Sequence, residues 1–287
     1  MIFQSDVAPL GRVLLKHARD AFVSPRRIAA QWRALGYVAE PDFDAACREF
    51  DAFATLLESL GASLEWMSAT DVGLDSIYVR DASVVSDRGV IVCKMGKGAR
   101  AAEPDEQRSE LEQLGLSLVG SVASPGSLEG GDATWLAPGT LAVGRGYRTN
   151  RPGIEQLEAL LPGVEVLRVP LPHWNGPGDV FHLMSIVSPL APDLLLVYSP
   201  LLPVPFREKL LERGFTLIEV PPDEFESQGC NVLAVAPRVA VALDGNPQTR
   251  RRLEAAGVEV HSYIGVEISA KGCGGPTCLT RPLERGA

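Results

Sequence analysis

The chain has 287 residues, 46% of them hydrophobic and 22% charged, a balance that suits a globular protein with a sizeable core and excludes general disorder. A formal net charge of −9 with no run of Lys or Arg argues against a nucleic-acid partner, because phosphate binding needs clustered positive charge. No apolar run approaches the roughly 18–20 residues of a membrane helix, and residues 1–12 lack a basic stretch followed by an apolar one, so a cytoplasmic protein with no membrane partner is expected.

Along the chain, residues 12–15 read as a first strand, followed by a long helical insertion near 24–35. One grammar then recurs five times: an amphipathic helix rich in Leu and Glu, a break, and a β-prone run, over residues 50–67, 105–119, 153–169, 205–220 and 247–263. The glycines at the breaks, Gly61, Gly115, Gly163, Gly214 and Gly257, recur every 43–54 residues and suit the left-handed position that ends a helix.

Short apolar runs precede four of the helices, at 90–93, 141–143, 194–197 and 239–243, with extra β-prone runs at 82–85 and 133–136. A doubly wound α/β sheet would show a similar alternation, but no GxGxxG lies between a strand and a helix. The expected fold is α/β: five units in a radial arrangement, forming one domain over residues 1–287 around a central pocket.

Four segments place a polar or reactive side chain beside glycine or a β-prone run: residues 74–85, 127–136, 178–188 and 271–283. Cys278 follows Gly274, Gly275 and Pro276, and reads either as a nucleophile or as a buried structural cysteine. Cys273 shares that loop and has no special claim. The five cysteines are odd in number and mostly scattered, which fits reduced thiols better than a disulfide framework or a zinc knuckle. His182 stands in the apolar run 180–186, where strand alternation would send Val180, His182 and Met184 to one face. A buried imidazole needs partners for its nitrogens, in a core or in a site. Glu129 and Asp132 flank Gly130 and Gly131, as part of either an exposed turn or a site, and Asp75 and Asp81 bracket the β-prone residues 77–79.

In this order the motifs RD (Arg80, Asp81), LEGGD (128–132), GRGYRTN (144–150), FHL (181–183), GNP (245–247) and GGxxC (274–278) resemble the guanidino-group-modifying superfamily. This superfamily includes dimethylarginine dimethylaminohydrolases, arginine deiminases and amidinotransferases, and the similarity runs from residue 13 to residue 283. The resemblance implies a five-bladed α/β propeller (pentein) of ββαβ units with a central active-site channel. It implies Cys278 as nucleophile, His182 as general acid and base, and Glu129 and Asp81 as carboxylates gripping a guanidinium. Arg148 is similar to a residue that binds the substrate α-carboxylate. Arg100, Asp75 and, with Glu129, Asp132 resemble further substrate contacts.

Arg80 departs from the acidic residue often found there in dimethylarginine hydrolases, and Met184 from the second Asp of the deiminases, so the sequence borrows from both patterns. The implied reaction hydrolyses a guanidino carbon–nitrogen bond of an arginine-like small molecule through a covalent thiouronium. It needs no metal or cofactor, and a homo-oligomer is compatible with it. An amidinotransferase shares its first half-reaction, and a non-catalytic propeller binder shares its fold.

Overall fold

A computed structural model describes residues 5–68, 71–177 and 181–286. Strand β1 (Leu10–Leu15) leads into three helices, α1 (Ala18–Phe22), α2 (Pro25–Leu35) and α3 (Phe43–Ser59), and then β2 (Ser63–Trp66). A unit of two strands, a helix and a strand follows as β3 (Ser83–Ser86), β4 (Gly89–Val92), α4 (Glu103–Gln113) and β5 (Leu118–Ser121). It recurs as β6 (Ala133–Ala137), β7 (Thr140–Arg145), α5 (Arg151–Leu160) and β8 (Glu165–Pro170). A third copy is β9 (Val187–Ala191), β10 (Leu194–Val197), α6 (Val204–Glu212) and β11 (Thr216–Glu219). The fourth is β12 (Val232–Ala236), β13 (Val239–Leu243), α7 (Pro247–Ala255) and β14 (Glu259–Tyr263), and β15 (Arg281–Arg285) follows it.

Each of the four units makes one three-stranded sheet, its middle strand antiparallel to the first and parallel to the third. A hairpin suffices for the antiparallel pair, whereas the parallel pair needs the crossover that the helix supplies. The fifth sheet has the same pattern split across the chain: β1 lies antiparallel to β15 and parallel to β2. Contacts of β9 with both β6 and β12, and of β15 with β3, bring the first strands of the sheets beside one another around a common axis. This is the five-unit α/β propeller.

The helix ends explain why the repeat was legible. Gly61, Gly115, Gly163, Gly214 and Gly257 all have positive φ, between 78° and 94°, a conformation in which a Cβ would be strained. In the four contiguous units the central strands are mostly buried, Leu194–Val197 along its whole length. They therefore read as unbroken apolar runs rather than alternating ones. α2 begins where Ser24 Oγ accepts from Arg27 N and ends at Gly36 in the left-handed region, so the expected insertion is a capped helix.

Candidate active site

The loops at one end of the axis enclose a cavity of about 380 Å³. Six of the residues expected from the sequence line it: Asp75, Asp81, Arg100, Arg148, His182 and Cys278. They come from five of the loops between strands, which only the closed ring brings together.

Cys278 sits in the turn before β15, its N–H donating to Gly275 O at 3.0 Å and its carbonyl accepting from Arg80 N at 3.2 Å. The glycines ahead of it have a steric reason: a Cβ at Gly274 would lie 2.3 Å from the Tyr78 ring, and one at Gly275 would lie 2.5 Å from Cγ of Asn231. Burial, and then the charge of Asp81, push the Cys278 thiol up to about 11. The sulfur is therefore a thiol at neutral pH until something in the cavity offsets those two effects.

His182 does not lie in a strand. It caps a single 3-10 turn, Leu183–Ser185, with its backbone N–H donating to Ser185 Oγ at 3.3 Å. The expected strand alternation is thus wrong for His182 and Met184, and Val180 lies outside the described residues. Met184 is buried, 3% exposed. The imidazole Nε2 bonds to Glu129 Oε2 at 2.8 Å, while Nδ1 lies 3.8 Å from Asp81 Oδ1. Gly131 makes this approach feasible, since a Cβ there would meet Asp81 Oδ1 at 2.6 Å and His182 Nδ1 at 2.7 Å. Burial works against a charged His182, but Asp81, Asp132 and Glu129 outweigh it and raise its pKa to about 9. It is an imidazolium at neutral pH.

That shift has a testable consequence for folding. A histidine raised from its ordinary 6.5 to about 9 stabilises the fold fully below pH 6.5, and the contribution is lost as pH rises toward 9. Urea unfolding of the protein should therefore show stability falling across that window, with the slope flattened in His182→Gln. Parallel profiles for the two proteins would refute the assignment.

Glu129 is fully buried and does not line the cavity. Its Oε1 accepts from Gly96 N and Lys97 N, both at 2.9 Å, and its Oε2 from Arg148 Nη1 at 2.9 Å and from His182. Burial opposes its ionisation, yet His182 and Arg148 hold its carboxyl well below the usual range. The expectation that Glu129 grips a planar cation directly is corrected: its oxygens are already committed, and it stands behind His182 and orients it. Asp132 is corrected likewise. It is buried off the cavity wall and accepts from Leu183 N at 3.0 Å, which braces the His182 turn. Burial raises it to about 6 despite the pull of His182.

Asp81 does face the cavity. Its Oδ1 accepts from Gly131 N at 3.1 Å and its Oδ2 from Arg100 Nη1; burial opposes its ionisation, but the charges of His182 and then Arg100 hold its carboxyl below the usual value. Arg100 also lines the cavity, but its Nε, Nη1 and Nη2 all serve the protein: Glu103, Asp81 and the carbonyls of Asp75 and Tyr78. It is a strut for Asp81 rather than a free substrate ligand. Removing one member of so buried a network typically costs about 3–5 kcal/mol. Asp75 accepts from Lys97 Nζ at 2.6 Å, and Lys97 also reaches Leu35 O at the end of α2. Arg80, the departure noted in the sequence, turns away and bonds Asp6 Oδ1 at 2.7 Å. Its neighbour Asp81 alone presents a carboxylate at that point.

Phe181 of the FHL motif lines the cavity, and sequence reasoning missed Lys97, Asn231, Trp174 and Phe225 on the same wall. Phe225 stacks on Tyr198 with ring centroids 3.9 Å apart, and Trp174 meets Phe225 edge-on. No motif marks Lys97, Asn231, Trp174 or Phe225, and their place in the site arises only from the meeting of distant loops. Among the described residues, Asp81, Glu129 and His182 form the group that could hold a metal ion, with donor atoms within 4.8 Å of one another. The imidazolium proton and the contacts of Glu129 occupy those atoms.

Comparison with known proteins bears on the family and the fold. The family model described as arginine deiminase matches residues 199–285. An N(G),N(G)-dimethylarginine dimethylaminohydrolase of Streptomyces coelicolor is 31% identical over 246 residues, covering 85% of this chain and 88% of the relative. Two solved structures share the fold. One is the dimethylarginine dimethylaminohydrolase of Pseudomonas aeruginosa complexed with citrulline, with TM-score 0.76 and 20% identity, covering 95% of this chain and 98% of that one. The other is the N-terminal domain of ArgZ, a cyanobacterial arginine dihydrolase, with TM-score 0.81 and 18% identity, covering 96% and 98%.

The five-sheet propeller is the fold of these solved structures, and the chain is an enzyme of the guanidino-group-modifying superfamily, a cysteine-dependent hydrolase of amidine carbon–nitrogen bonds. Within that class it belongs to the dimethylarginine dimethylaminohydrolase family.

Proposed function

We propose that the chain hydrolyses an arginine-like guanidino compound, N-methylated arginine or arginine itself, to citrulline and an amine or ammonia. The observation that supports this reading most is the cavity on which a thiol, an imidazolium, a carboxylate and an arginine converge from remote loops. A guanidinium is protonated and delocalised, with pKa above about 12, so its central carbon needs a strong nucleophile and its amines need a proton to leave.

In this reading Asp81 holds one edge of the cation, leaving its faces open. The positive charge offsets the effects that keep Cys278 a thiol, its proton passes to water, and Sγ attacks the carbon as the thiolate. His182 gives its proton to the departing amine as the carbon–nitrogen bond breaks. The neutral imidazole then takes a proton from water, which attacks the thiouronium carbon and releases the ureido product as the carbon–sulfur bond breaks. Glu129 and Asp132 keep the imidazole placed, and Arg148 receives the α-carboxylate.

The single domain is read over residues 1–287, since β15 and β1 share one sheet. Among the described residues no helix is long and apolar enough to cross a membrane. With that, five cysteines free of disulfides support a cytoplasmic setting.

The test is an assay for ureido product with arginine, methylated arginines, agmatine and guanidino acids, each with and without an amine acceptor. A new guanidine formed on the acceptor, in place of the ureido product, would instead make the chain an amidinotransferase. Arg148→Ala should raise KM for α-amino acid substrates by about 10- to 100-fold, the weight of a charge-assisted hydrogen bond, and change KM for simple alkylguanidines little. Its contact with Glu129 means kcat falls for both classes. Equal KM effects on both would remove the carboxylate role.

A further inference from the structure

One contact to the sulfur has no place in the mechanism so far. Asn231, just ahead of β12 and 2% exposed, points its side-chain Nδ2 at Cys278 Sγ, 3.2 Å away. An asparagine amide has a donor end and an acceptor end of nearly equal shape, and only its partners tell which is which. Here the partners are decisive. The backbone N–H of Thr277 donates to Oδ1 at 3.1 Å, and Thr277 Oγ1 does so at 2.7 Å. The reversed amide would set its NH₂ against a backbone N–H, donor against donor. The NH₂ is therefore held toward the sulfur. Gly275 closes over the same amide, since a Cβ there would lie 2.5 Å from Asn231 Cγ.

An N–H that can only donate gains more from a thiolate than from a thiol. Sulfur carries negative charge twice in the reaction: before its lone pair forms the bond to the guanidinium carbon, and again when water displaces it and the carbon–sulfur electron pair returns to it. We propose that Asn231 is a catalytic residue, a fixed hydrogen-bond donor that stabilises the Cys278 thiolate before attack and as the leaving group. The proposal rests on the reaction given above. It differs from the substrate's own contribution in acting while the cavity is empty. Burial and Asp81 still dominate the resting thiol, and the contact with Asn231 lessens their effect.

The test is alkylation of the intact protein by iodoacetamide, an uncharged reagent, from about pH 6 to pH 10 and beyond, with tandem mass spectrometry separating Cys278 from Cys273. Asn231→Ala should move the alkylation midpoint of Cys278 upward by about one pH unit, roughly tenfold in rate at neutral pH. Asn231→Asp should move it further, because the carboxylate keeps both Thr277 bonds but turns an oxygen toward the sulfur. A loop-support role predicts the opposite order, since Asp preserves the shape that Ala removes. An unmoved midpoint in Asn231→Asp, or a larger shift in Asn231→Ala, overturns the proposal. Alkylation needs no guanidino substrate, so its result decides on Asn231 even if the substrate panel shows no turnover.

Discussion

Cys278→Ser should abolish turnover of guanidino compounds, with kcat falling by about 10³-fold or more, while the protein keeps its fold. The loss follows from the electrophile. A carbon sharing a delocalised positive charge yields only to a strong nucleophile, and a thiol can reach its anionic form once a cation sits beside it. A serine hydroxyl cannot, because His182, held as an imidazolium near pKa 9, has no free lone pair to take its proton at neutral pH. The fold should survive because the backbone bonds of residue 278, to Gly275 and Arg80, do not involve the side chain. Ureido product by mass spectrometry and thermal unfolding by circular dichroism measure the two halves. Undiminished turnover in a folded variant would remove Cys278 from the mechanism.

The second large effect is expected at His182. His182→Gln keeps a donor toward Glu129 but loses the proton exchange, so kcat should drop by about 10²–10⁴-fold. The two half-reactions then separate. A substrate whose leaving group needs no proton can still load the sulfur, but water is no longer activated, and the covalent adduct should accumulate. Intact-mass spectrometry of the acid-quenched variant should show the added amidine on the protein, where the wild type shows little. A variant that turns over at the wild-type rate, or loses activity without adduct from an activated substrate, would mean that His182 serves only to shape the cavity.

The architecture was legible because its signal is backbone chemistry that repeats: five helices stop at a glycine with positive φ, and the central strands of four units carry an apolar run. The site was legible to a lesser degree. Cys278 and His182 stood out as reactive types beside glycine, but each had a bland reading of its own, and it was the ordered set of motifs that joined them. Glu129 was found but miscast, because a buried carboxylate with four donors around it has the same letters as one that faces a ligand. His182 was assigned strand geometry from its apolar neighbours, whereas the hydroxyl of Ser185 closes a tight turn there. Asn231 could not be read at all. Its meaning depends on which end of an amide meets a sulfur 47 residues further on.

The pairing of β15 with β1 carries a consequence for how the enzyme becomes competent. The nucleophile lies three residues ahead of a strand that must dock beside residues near position 10. During synthesis, four sheets and the acidic and basic lining can form while the thiol is still undocked. Catalytic power then arrives in one late event, the annealing of a C-terminal strand onto an N-terminal one. Peeling that seam apart, by a second proline in β15 beside Pro282 for example, should silence the chemistry before it unravels the rest.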